Sequence, residues 1–67
     1  MNSAAAAAAM MSISMNSDAV AANMMSISQN SVAITDLKKS VETNSSGIST
    51  NSKDIIANST QIGANSD

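Results

Sequence analysis

The side chains with most chemistry to offer in this chain are its eight asparagines, and all eight fall on one seven-residue register. Asn65, Asn58, Asn51 and Asn44 follow one another at that interval, Asn30, Asn23 and Asn16 repeat it, and Asn2 lies two intervals further upstream. A carboxamide is uncharged and carries two N–H donors beside an acceptor oxygen. A column of carboxamides can bond to one another or turn their NH2 groups on an anion; it cannot supply a nucleophile or a general base. Serine follows every asparagine except Asn23, which is followed by Met24.

Other chemistry is excluded by what is missing. The sequence has no His and no Cys, so zinc sites, disulfides and an imidazole base are all out of reach. Serines are plentiful, but no base stands ready to activate one. The carboxylates Asp18, Asp36, Glu42, Asp54 and Asp67 are dispersed. On a helix, Asp18 and Asp36 would stand about 27 Å apart at about 1.5 Å of rise per residue. No acid/base pair forms within one chain, and neither an enzyme nor an organic cofactor or metal is expected. There are no aromatic residues and the formal charge is -2, so nucleic acid has neither a stacking platform nor a basic footprint to meet. The apolar run from Ala4 to Met11 is too short to cross a bilayer and has no Lys or Arg before it; neither direct membrane insertion nor a secretory signal is expected.

The element that positions the asparagines is legible three residues upstream of each. Ile13, Val20, Ile27, Ile34, Val41, Ile48, Ile55 and Ile62 occupy that place in unbroken succession, and Ala6 holds it one interval earlier. Of the β-branched aliphatic residues, Val32 and Ile56 alone fall elsewhere. The intervals from Ile13 to Asn16 to Val20 to Asn23 alternate three and four, which on a helix sets both residue types along one narrow stripe. Ile and Val are therefore assigned to position a of a heptad abcdefg, and Asn to position d. A strict period of seven, slightly short of two helical turns, implies a left-handed supercoil. The expected organisation is an Ala-rich helical lead-in over residues 1–9 and a heptad coiled coil over 10–67.

Local propensity argues against an isolated helix. Ser, Asn and Thr compete with the backbone for its hydrogen bonds, and Gly47 and Gly63 each weaken a helix by about 1 kcal/mol relative to Ala. The helix is expected to form with partners rather than alone. Beside the seam only Lys38, at e, and Asp54, at g, are charged, so charge pairing gives little guidance to partner choice. The core layers must select the partner. Asn facing Asn requires parallel chains in register, because an antiparallel or slipped arrangement sets carboxamides against isoleucine. A buried carboxamide left unpaired costs about 1–3 kcal/mol. Two chains would let the amides pair; three would let their NH2 groups converge on an axis around an anion.

The stretch "VETNSSGISTNSKDIIANSTQIGANSD" resembles the stalks of trimeric autotransporter adhesins, bacterial surface fibres whose recurrent heptad reads I-x-x-N-[TS]. Phage fibres have similar trimeric stalks. Matching instances are Ile13-Asn16-Ser17, Ile27-Asn30-Ser31, Val41-Asn44-Ser45, Ile48-Asn51-Ser52, Ile55-Asn58-Ser59 and Ile62-Asn65-Ser66, with Val20-Asn23 matching without the serine. The resemblance implies an all-α, parallel, left-handed homotrimeric coiled coil. It also implies chloride or a similar anion held by Asn16, Asn23, Asn30, Asn44, Asn51, Asn58 and Asn65. It places the protein on a bacterial cell surface or a phage virion. Departures are the Ser where those stalks favour Thr, and the methionine pairs in "MMSISMNS" and "MMSISQNS".

Three further features stand outside the motif. Leu37, at d among asparagines, lies in the charged stretch "ITDLKKSVE" and makes one dry layer suited to nucleating the helix. Met10, Met11, Met24 and Met25 fall at e and f, where they broaden the apolar face and are candidate docking residues. Residues 1–28 hold all six methionines and a single charge, Asp18. Two competing folds are a flexible linker and a fourteen-residue β-roll like that of adhesin heads, which "NSVAIT" and "NSTQIG" resemble. The linker fits poorly with asparagines confined to one register, and the roll needs more glycine than the two present. The expected function is a structural stalk that trimerises and displays a functional unit away from a surface. The alternative is a small helix that docks into a larger assembly through its Met-rich N-terminal half.

Overall fold

The computed structural model describes residues 2–67, and they contain one element, the helix α1, Asn2–Ser66. Met1, the first residue of the Ala-rich lead-in, lies outside them. The all-α class expected from the heptads is what the chain adopts. The β-roll is ruled out, since no strand occurs among the described residues. The reason is visible in the backbone. A roll turns tightly at each coil and uses residues of positive φ to do so, whereas no described residue has one, Gly47 and Gly63 included.

The two halves of the chain reach the same conformation from different local chemistry. In residues 2–34, Ala4–Ala9 and the later Ala19, Ala21 and Ala22 are the strongest helix formers available, because an alanine side chain loses no rotamer freedom and hides no polar group. Methionine adds unbranched side chains that also suit a helix. In residues 35–67 the sequence is mostly Ser, Thr and Asn with both glycines, and the helix nevertheless continues through Gly47 and Gly63. A methyl group added at either glycine would meet nothing within 4 Å. Within the chain these glycines are therefore neither turn residues nor points of close approach; they are weak links in a regular helix. The ends add no help, with no acidic residue in the first turn and no basic residue in the last, so the helix dipole goes without complementary charge.

No described residue is buried. A soluble helix is ordinarily held by packing one face against something else. Here neither half supplies such a covering, and the residues that would form a core lie open along the helix surface.

Gly63 sits at position b, away from the a/d stripe. Gly63→Ala is expected to stabilise the helical form by about 0.8–1.0 kcal/mol, read as a higher melting midpoint in far-UV circular dichroism. An unchanged midpoint would mean that residue 63 is not helical in solution.

Candidate association face

In each half, the a and d residues follow one another three and four positions apart on a continuous helix, which places them side by side along one stripe. Over residues 2–34 that stripe carries Ile13, Val20, Ile27 and Ile34, with Asn16, Asn23 and Asn30 between them; the β-branched residues are 57–67% exposed. Over residues 35–67 it carries Leu37, Val41, Ile48, Ile55 and Ile62, with Asn44, Asn51, Asn58 and Asn65, and its apolar members are 58–69% exposed. The carboxamides between them are exposed as well. The helix thus brings together, within each half, the isoleucines and asparagines that the heptads paired.

Surface scaling shows how unusual this openness is for a chain acting alone. The protein leaves 5977 Å² accessible at 6.7 kDa. A folded monomer of that mass would leave about 3,900 Å².

The methionine pairs lie on a neighbouring strip of the first half. Met10 and Met24, at e, adjoin the d positions, while Met11 and Met25, at f, face further round; all four are 63–69% exposed. Met15, at c, is also open. Val32 and Ile56, the off-register aliphatics, are exposed away from the seam. Among the described residues there is no cluster of His, Cys, Asp or Glu suited to a metal ion, and no helix is long and apolar enough to cross a membrane. The described residues enclose no cavity.

Two interactions were not anticipated from composition. The Thr60 hydroxyl donates to the carbonyl of Ile56 at 3.0 Å, and the Ser66 hydroxyl donates to the carbonyl of Ile62 at 2.8 Å. Both bonds run back one helical turn. They commit the hydroxyl proton to the helix that carries it, so these side chains do not draw the backbone into a turn or cap. Ser66 stands at e, beside the stripe, and its proton is taken up within its own helix. The available signal was position: a Ser or Thr beyond the first turn of a helix has the carbonyl four residues back within reach.

No family model, no curated protein and no solved structure matches this chain. The residues themselves carry the functional reading.

Because Met11 and Met25 face away from the seam, dilute peroxide is expected to convert both to the sulfoxide as fast as a free methionine reacts. Peptide mass spectrometry follows each site, and slow oxidation at both would mean that a partner covers this side of the helix in solution.

Proposed function

We propose that the chain is a structural stalk segment. Copies of it associate as a parallel homotrimeric coiled coil that holds a functional unit away from a bacterial cell or virion surface. One observation carries this reading: Ile or Val at a and Asn at d share a stripe on a helix that covers none of it. The partner that satisfies both components is another copy in parallel, because each apolar layer then meets an apolar layer and each carboxamide meets a carboxamide. A helix of 65 residues without a buried side chain is also far longer than the roughly 11–12 residues typical of globular domains. A sustained heptad over such a length is characteristic of coiled coils.

The asparagine layers set the character of the association. In a trimer the NH2 groups of Asn44, Asn51, Asn58 and Asn65 converge in successive layers around chloride or a similar anion, as do those of Asn16, Asn23 and Asn30. The anion accepts from all three chains at once and relieves the desolvation of the amides. No catalytic role is assigned.

A second reading is favoured by the distribution of methionine. Met10, Met11, Met24 and Met25 are exposed in the half where Asp18 is the one charge before residue 28. Methionine is flexible and polarisable, suited to adaptable apolar contacts. On this reading the N-terminal half docks into a larger assembly. Deleting residues 1–28 separates the two: a stalk still associates, and a docking helix loses its partner.

Sedimentation equilibrium combined with circular dichroism over a wide concentration range tests the stalk directly. A mass of three chains, with helix growing as concentration rises, is the expected result; a helical monomer at all concentrations would refute it. Ile55 and Ile56 provide a matched pair of substitutions. Ile55→Ala at a is expected to weaken association by about 2–5 kcal/mol per chain, while Ile56→Ala at b changes it by less than about 0.5 kcal/mol. Equal effects would place the interface elsewhere.

Crystals grown in bromide test the anion separately. Anomalous peaks are expected on the axis at the asparagine layers, and their absence would mean that the amides bond to one another instead.

A further inference from the structure

We infer that Leu37 sets the axial register in which copies of the chain associate, an inference that rests on the self-association proposed above. The repeating asparagines cannot do this alone. They forbid half-heptad errors, which would set a carboxamide against an isoleucine. They are indifferent to whole-heptad ones. If one copy is displaced by seven residues, Asn51 meets Asn58 and Ile48 meets Ile55, so each layer finds its own chemistry again. The first half has a similar degeneracy at fourteen residues, where "MMSIS" from Met10 would meet "MMSIS" from Met24.

Leu37 breaks the degeneracy. From Asn16 to Asn65 it is the one d position that is not asparagine. In the aligned state leucine meets leucine. Displaced by one heptad, Leu37 meets Asn44 and leaves a carboxamide pressed against hydrocarbon with no donor or acceptor opposite. The side chain is placed to act in this way. Leu37 is helical, shares its stripe with Val41 one turn on, and is 64% exposed, so it is open to a second copy. Charge offers no substitute. Lys38 and Asp54, the charged residues that flank the seam, lie sixteen positions apart and cannot pair between aligned copies, being about 24 Å apart along the axis.

A disulfide reads the register because it needs Cβ atoms about 3.5–4.5 Å apart, whereas one heptad is about 10 Å of helix. Full-length Asn51→Cys and Asn58→Cys chains are mixed in equal amounts while reduced, allowed to associate, then oxidised, and the links are identified by mass spectrometry. With Leu37 in place, links 51–51 and 58–58 are expected and 51–58 is a trace. Adding Leu37→Asn to both chains is expected to raise the 51–58 link by about tenfold. A 51–58 link already abundant with Leu37 present, or none gained without it, overturns the inference.

If Leu37→Asn prevents association, a gain of function decides. A chain carrying Leu37→Asn, Asn44→Leu and Asn58→Cys keeps a leucine but moves it one heptad. As a trace component in excess Asn51→Cys chain, it is expected to form the 51–58 link, since leucine then meets leucine when displaced. Absence of that link overturns the inference. Monomers by sedimentation, with no link of any kind in any mixture, would instead refute self-association itself.

Discussion

Everything in this chain depends on one constraint: a carboxamide removed from water must find a partner for its donors and its acceptor. Asparagine recurs on the same stripe as the isoleucines and valines, so whatever covers the aliphatic side chains also covers the amides. A partner presenting only hydrocarbon would dry the isoleucines and strand the asparagines. A partner presenting the same alternation serves both. In the proposed stalk, the chemistry of the stripe is therefore met by copies of the chain itself.

The chain is rich in Ser, Asn and Thr and is nonetheless helical over Asn2–Ser66. These residues weaken a helix in isolation because they offer the backbone other hydrogen bonds. Thr60 and Ser66 show two of those side chains turned instead on carbonyls of the preceding turn. With no described residue buried, the single helix draws its support from propensity and backbone bonding, strongly in the alanine-rich half and weakly beyond Gly47. In the proposed stalk, burial of the a positions between chains supplies the rest. The alternation of wet and dry layers lowers the stability of such an assembly below that of an all-apolar core, and it also lowers the tendency of unassembled chains to collapse on one another.

Leu37 stands apart within this scheme. The asparagines distinguish a from d and parallel from antiparallel, but a repeat of identical layers has no origin. One leucine at d supplies an origin, at a place where the neighbouring Lys38, Lys39 and Glu42 also favour helix.

The heptads by themselves determined the helix and the membership of its a/d stripe, because spacing along a helix is a local property of neighbouring residues, while the lack of His and Cys set the expectation of no catalytic chemistry. The lone Leu37 and the off-seam methionines could likewise be read from position alone. The structure decided what spacing does not reach. It carried the helix through Gly47 and Gly63 without a left-handed residue, where composition alone left a roll or a linker open. It turned the hydroxyls of Thr60 and Ser66 back on their own helix, which depends on a choice of rotamer. Above all, within neither half does a residue meet one distant from it in the chain. Whether an apolar stripe is covered depends on contacts between segments far apart in sequence, and periodicity is silent about those.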